Sequence, residues 1–483
     1  MASYKHGVYT QEQATSLVPM TKTDSGLIVA FGTAPVHRGD ITAVNEPRLC
    51  YTLKEAVAAF GYSDDWSKYT LCEVIRQHFT YYNMAPIVLI NVLDPAKHKK
   101  QMTGKLDFAN NEAVIKGEVL LDTLKISLQS GEPPANDCVL GTDYTAAYND
   151  DGDVLVTALE DGKLYDVASA SATYNVIDHS LVTANEIIGG VDKVTGKATG
   201  MELIDEIFPR FGLVPGIIIA PGYSSEPNVG AVMSAKTYNI SGHFNAIAIA
   251  DIPVDAVANY TKASEWKNAN SYTDKNMIVC YPMVKLDKEI SHMSTHIASI
   301  CNRTDADHDN IPYYAPSNKS MKINATCMAD GSEVFYSNAQ AAYLNQNGIM
   351  TAINFIGGWK SWGVQTGAYP GNPDVKDNQV VQRRMFNWVG NTLITTFWSK
   401  IDDPANKRLI HSIVDSANIW LNGLTAKGAL LGGRVEFREA DNTVTDLMAG
   451  ILYFHVFMTP PAAAREIEFV QEYDPDYIST LFE

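Results

Sequence analysis

The chain has 483 residues, 46% of them apolar and 19% charged, with a net charge of -18. That is too long for one simple core and too apolar for a disordered chain, so about three or four domains are expected. The acidic balance excludes the basic face that a nucleic-acid binder needs, but it leaves basic protein surfaces open as partners.

Six scattered cysteines, at 50, 72, 138, 280, 301 and 327, form no CxxC pair. They predict free buried thiols in a reducing compartment. The polar start Met1-Ala-Ser-Tyr-Lys-His6 does not read as a signal peptide. No run reaches the roughly 18 apolar residues of a membrane span, so a chain folded in a cytosol is expected.

Residues 1–24 predict an arm, with a short strand at Gly7-Val-Tyr-Thr-Gln-Glu12 before the break at Pro19. Residues 25–95 read as α/β. Gly26–Gly32 and Pro86–Val92 are buried strands. Thr52 at an N-cap with Glu55 three residues on opens a helix that stops at Gly61, and Tyr69–Tyr81 is a second, amphipathic helix. Residues 96–190 read as an inserted all-β, sandwich-like domain. Lys97-His-Lys-Lys100 is a solvated linker, and Val114–Val119, Leu124–Leu128, Val154–Ala158 and Tyr174–Ile177 are strands between turns.

Residues 191–370 return to α/β in a doubly wound pattern. Met201–Phe208 and His292–Ile300 are helices and Val232–Ile240 is weakly helical; Pro215–Pro221, Ala246–Asp251 and Met277–Pro282 are buried strands. Residues 371–464 predict a C-terminal α+β unit with helices Val380–Ser399 and Lys407–Leu424 and a strand Val435–Glu439. It ends on the apolar run Gly450–Met458, which reads as a strand buried on both faces because neither side alternates to polar. Pro460 and Pro461 stop that run. The arm 465–483 follows, with Ile467, Phe469 and Tyr473 on one side, Glu466, Glu468 and Glu472 on the other, and Val470 as the exception. Such a strand has spare backbone donors and acceptors and is suited to join another sheet.

No catalytic set assembles. Asp251 after a buried strand reads as a helix cap or a ligand to the backbone. Pro221-Gly-Tyr-Ser-Ser-Glu226 lacks a Gly-x-Ser-x-Gly elbow, and Gly190–Ala198 misses the phosphate-loop spacing and its Ser or Thr. His292 and His296 at i, i+4 lack the following Glu and a third ligand, so they read as a polar helix face. The Asp150–Asp153 loop does not meet the EF-hand pattern and reads as a solvated turn. A soluble α/β hydrolase-like enzyme with a β insertion is the alternative; it would use Ser224, His243 or Asp251, and their spacing does not favour it.

Several stretches in order resemble the contractile tail sheath proteins of bacteriophages and related phage-tail-like particles. They are Gly7-Val-Tyr9, Gly26–Ala34, Ala59-Phe-Gly61, Leu344–Ile349, Gly358–Gly363 with Thr366, Gln382-Arg-Arg384, Gly428–Gly432 and Ile467–Tyr473. The resemblance implies a subtilisin-like α/β core without a catalytic triad, an inserted β-sandwich-like domain, and an α+β C-terminal domain with exchanged strand arms. It implies no enzyme activity and no cofactor. The implied partners are other copies in stacked six-fold discs, an inner tail tube protein, and baseplate and tail terminator proteins, without nucleic acid or direct membrane insertion. The implied job is contraction that drives the tube through a target envelope, in a virion tail assembled in the host bacterial cytoplasm. Val8, Tyr9, Thr10, Gln11 and Glu12 would form one visiting strand. Ile467, Glu468, Phe469, Val470, Gln471, Glu472 and Tyr473 would form the other. Val435 and Phe437, with Ile451, Tyr453, His455 and Phe457, would mark the host strands.

Overall fold

A computed structural model describes residues 18–21, 23–128, 137–149 and 151–482. The predicted strand Val8–Glu12 lies outside the described residues.

The body is built on an eight-stranded sheet. Its strands in chain order are β1 (Ile28–Gly32), β2 (Arg48–Cys50), β3 (Ile87–Asn91), β4 (Ile217–Ile219), β5 (Ile247–Asp251), β6 (Met277–Cys280), β7 (Ile349–Phe355) and β8 (Gly358–Trp362). Their spatial order is β2-β3-β1-β4-β5-β6-β7-β8. The six from β3 to β7 are parallel, and β2 and β8 close the two edges antiparallel. The unbroken apolar runs follow from this arrangement, because helices cover both faces. Val29, Phe31 and Ile218 turn to one core; Ile28, Ala30 and Ile217 turn to the other.

Local signals hold where they rest on capping. Helix α1 (Leu53–Phe60) starts with the Thr52 hydroxyl accepting from the Glu55 amide. It ends at Gly61, whose φ of +70° leaves no room for a side chain, since a Cβ there would lie 2.4 Å from the Pro35 carbonyl. The second helix, α2 (Thr70–Ile75), is buried throughout rather than amphipathic, and it widens into a π-helical turn over Arg76–Tyr81.

The segment after β3 makes two small sheets around one apolar cluster that includes Leu106, Ile115, Ile126 and Val156. One sheet is led by Lys99–Asp107 paired along its length with Ser169–Ile177. Lys99 and Lys100 are therefore strand residues, not part of a solvated linker. Their side chains are exposed, but the backbone is satisfied by the ladder. Arg38, in the β1–β2 connection, donates to Glu118 at 2.7 Å and to the Gly152 carbonyl at 3.2 Å, tying this insertion to the body. All six cysteines are buried free thiols.

Helix α3 (Met293–Ala306) crosses the body and is buried on nearly every side. Two long helices then form the C-terminal unit, α4 (Val380–Phe397) and α5 (Lys407–Ala426). Trp388 and Trp420 meet between them at 5.5 Å. A buried ion pair joins α4 to α3: Arg384 Nη1 donates to Asp305 at 2.9 Å, and the Ser25 hydroxyl donates to the same carboxylate at 2.7 Å. The chain closes on a two-stranded antiparallel sheet, β9 (Gly432–Phe437) and β10 (Phe454–Thr459).

The apolar run is thus only partly strand. Ile451 and Tyr453 precede β10. The Ile451 amide closes a turn onto the Asp446 carbonyl after Gly450, at φ +77°, and both backbone groups of Tyr453 are held by the Asn442 side chain. Nor is the run buried on both faces; it is half-buried at most in the single chain.

Candidate assembly surface

Open α/β sheets carry their chemistry at the carboxyl ends of the strands. Here that edge opens on a cleft of about 660 Å³ lined by Glu73, Gly222, Asp251 and His292. The structure does bring Ser224 and Asp251 together, with the Asp251 amide donating to Ser224 Oγ at 3.1 Å. Ser224 is fully buried, so its hydroxyl cannot meet a substrate. Asp251 accepts from the Ser294 amide at 2.9 Å in the first turn of α3, so it caps that helix from a neighbouring strand. His243 is not in the cleft. It packs edge-on against Trp398 at 4.8 Å in a separate apolar pocket with Phe208 and Ile394.

The two histidines do not form a polar helix face. His292 is the N-cap of α3. Glu73, itself buried, takes its amide at 2.7 Å and its Nδ1 at 2.9 Å. Burial pulls the His292 pKa down, but the charge and hydrogen bond of Glu73, helped by Asp251, lift it to about 9. His296 is buried between the Tyr82 hydroxyl at 2.8 Å and Ser291 at 3.0 Å, and burial pushes its pKa down to about 3. Among the described residues, no group of three or more His, Cys, Asp or Glu is placed to hold a metal ion. Among them, too, no helix is long and apolar enough to cross a membrane. The Gly190–Ala198 segment is a small hairpin, not a phosphate loop.

The informative geometry lies at the chain's end. In β9–β10, directly opposed residues share a face. Val435 pairs with Val456 and Phe437 with Phe454, and these turn toward α5; Phe437 and Phe454 meet at 5.3 Å. Arg434, Glu436, His455 and Phe457 turn outward. The Arg434 and Arg438 guanidinium groups stack over the Phe457 ring at 4.2 and 4.7 Å. The core-facing side chains of β10 are therefore Phe454, Val456 and Met458, which sequence reasoning missed. An unbroken apolar run carries no period from which to choose between the two faces.

After Pro460 the chain still packs Ala463 against the C-terminal core, and from Ala464 onward it is exposed. Among the described residues, no backbone–backbone hydrogen bond ties 461–474 to anything else, and the segment makes no strand. Ile467 is 73% exposed, Phe469 85% and Tyr473 81%. At the other end the described residues enter along the C-terminal helices. The Val18 amide donates to Ser416 Oγ at 2.8 Å and the Thr21 amide to Thr396 Oγ1 at 3.0 Å; the Trp388 indole donates to the Thr23 carbonyl at 2.9 Å.

No family model matches the chain. Over 99% of its length it is 27% identical to a tail sheath protein of Burkholderia phage BcepMu, with 99% of that protein covered. From end to end, the chain is similar to contractile tail sheath proteins. The sheath of the extracellular contractile injection system PVC in its contracted state matches with a TM-score of 0.58 at 13% identity, covering 99% of both chains. The helical sheath of the anti-feeding prophage in its contracted state gives 0.57 at 14%, covering 98% of this chain and 100% of that one. At such identities the structural likeness is one of fold, a mixed α/β multidomain architecture. The sheath relatives are structural proteins, not enzymes.

Proposed function

We propose that this chain is the structural subunit of a contractile tail sheath. The observation that carries the reading is a pair of features in one molecule: a two-stranded sheet, and an exposed apolar-acidic segment, Ile467–Tyr473, that among the described residues makes no backbone pairing with its own chain. On this reading a neighbour's segment Ile467–Tyr473, and another's Val8–Glu12, add strands to the sheet that contains Val435, Phe437, His455 and Phe457. The product is a mesh of stacked six-fold discs around an inner tail tube, bounded by baseplate and tail terminator proteins and assembled in the host bacterial cytoplasm.

The body corresponds to a subtilisin-like core without a triad, with 96–190 as an inserted domain and 371–464 as the joint-bearing domain. Burying Ile467 and Phe469 would stabilise each junction by about 1.5–3 kcal/mol apiece before ordering costs. Contraction is then a change between two packings of rigid bodies held by flexible arms, and the subunit needs no nucleotide. The experiment is deletion of 465–483. The expected product is a folded monomer by circular dichroism that forms no tubes in negative stain. Normal polymerisation of the truncated chain would sink the arm reading.

A further inference from the structure

The eight-stranded sheet has two ends, and each carries an apolar feature that its own chain leaves uncovered. At the carboxyl end, β7 outruns its neighbours. Asp251, the last residue of β5, is level with Cys280, and Cys280 is level with Met350. From Met350, β7 runs on for five residues to Phe355, about 16 Å at about 3.3 Å per residue. There it turns back into β8 through Ile356 and Gly357, with Phe355 opposite Gly358. Gly357, at φ +80°, supplies the left-handed position of this tight turn. Phe355 is 64% exposed and Ile356 79%. Turns favour Gly, Asn, Asp, Ser and Pro, so a bulky apolar pair at the summit serves no local purpose.

At the amino end of the sheet lies an apolar pocket of about 460 Å³. Leu213 precedes β4, Phe244 precedes β5 and Asp24 precedes β1, so the pocket opens where three neighbouring strands begin. Phe208 and Ile394 complete its wall, and the exposed Trp398 stands at its rim.

The two features are complementary in charge as well. Lys360 lies beside the turn, its Cε 3.7 Å from the place a Cβ on Gly357 would take, and its Nζ donates to the Ser320 hydroxyl at 2.7 Å. Asp24 is half-buried at the pocket and accepts from the Gly26 amide at 2.9 Å. Among the described residues, neither has an ion-pair partner. Because they sit at opposite ends of one sheet, tip and pocket cannot meet within a chain. A contact between them is heterologous, so it repeats from copy to copy instead of closing as a two-fold dimer.

We propose that the two are halves of one contact: the β7–β8 turn of one copy seats Phe355 and Ile356 in the Phe208, Phe244, Ile394 and Trp398 pocket of the next, with Lys360 beside that copy's Asp24. The inference rests on the reading of the chain as a self-assembling subunit. It adds a contact between bodies that uses neither arm.

Cysteine cross-linking tests it. The six native cysteines are buried, so engineered surface cysteines react without background. Thr395 lines the pocket. When Ile356→Cys and Thr395→Cys are combined in one chain, tubes treated with a short bismaleimide yield a ladder of covalent oligomers, because each copy carries both halves. Neither single variant yields a ladder, and nor does the dilute monomer of the double variant. Ile356→Ser raises the critical concentration for tube growth by more than about tenfold and leaves the melting temperature of the monomer unchanged, since the side chain is exposed in the free chain. Tubes of the double variant that give no ladder overturn the contact and leave the sheath reading standing. If the Thr395 variant does not fold, a critical concentration for Ile356→Ser within about threefold of native does the same. Dimers from Ile356→Cys alone mean that the tips meet one another, and a link from Thr395→Cys to Phe469→Cys means that the arm fills the pocket; either overturns the pairing. A native chain that forms no tubes overturns the subunit reading, and this contact with it.

Discussion

Replacing Phe469 with Ser tests whether the arm is an intermolecular element. In the free chain Phe469 is 85% exposed. Losing its ring therefore removes almost nothing from the fold of the monomer. On docking, burial of a Phe side chain is worth about 1.5–3 kcal/mol. The cost of ordering the arm backbone is common to both proteins and cancels in the comparison. Taking about 2 kcal/mol per junction, and about 1.4 kcal/mol per tenfold, the critical concentration for tube growth rises roughly 30-fold. Sedimentation of assembled material across a concentration series reads this directly, and thermal melting of the dilute monomer serves as the control. Two results would refute the reasoning. A critical concentration within about threefold of the native value shows that Phe469 is not buried at the junction. A lowered melting temperature of the monomer shows that the ring is packed within its own chain.

The body should respond to different changes. In Arg384→Met, Asp305 keeps the Ser25 hydroxyl but loses its cation while remaining buried, which costs about 3–5 kcal/mol. A clear drop in the thermal midpoint is expected, largely recovered by adding Asp305→Asn. Stability should also form a dome in pH. Burial holds His78 at about 4 and His296 at about 3. Unfolded imidazoles titrate near 6.5, so this stabilisation is present above about 6.5 and lost as pH falls through those values. His292 has its pKa raised to about 9, so its contribution is present below about 6.5 and lost as pH rises through 9. Melting curves from acid to alkaline buffers should show a shallower acid limb in His296→Gln, with the His78 part remaining, and a shallower alkaline limb in His292→Gln; unchanged limbs would refute the assignment.

How much was legible depended on whether a residue's partner was near in sequence. The Ile- and Val-rich runs of β1, β3, β4 and β5 declare strands covered on both faces, and Thr52 with Glu55 declares a helix start, because those signals are local. The strand Lys99–Asp107 was invisible: Lys-Lys-Gln-Met-Thr-Gly-Lys-Leu-Asp has one buried side chain, and its existence depends on a ladder with Ser169–Ile177. The apolar run 450–458 misled for the opposite reason. Its start is bent away by Gly450 and by the Asn442 amide, neither of which changes its hydrophobicity. Asn418, whose side-chain amide bonds both backbone groups of Val435, carries no sequence signal at all. An asparagine in a helix reads as a surface residue until β9 is brought alongside it.

The alternation of Ile467, Phe469 and Tyr473 with Glu466, Glu468 and Glu472 has no counterpart within its own chain, where the segment is exposed and makes no strand. That separates two kinds of residue. Arg384, Asp305 and His296 set whether the body holds its shape. On the proposed reading, Phe469 sets whether one body holds the next. A lattice that must change its packing without coming apart needs these to be independent, since a junction strengthened through the body would stiffen what has to move. The prediction is correspondingly sharp: Phe469→Ser shifts the critical concentration at constant melting temperature, and Arg384→Met shifts the melting temperature of the monomer whether or not the arm is present. If the two substitutions move both quantities together, junction and body are one mechanical unit, and flexible arms between rigid bodies are the wrong description.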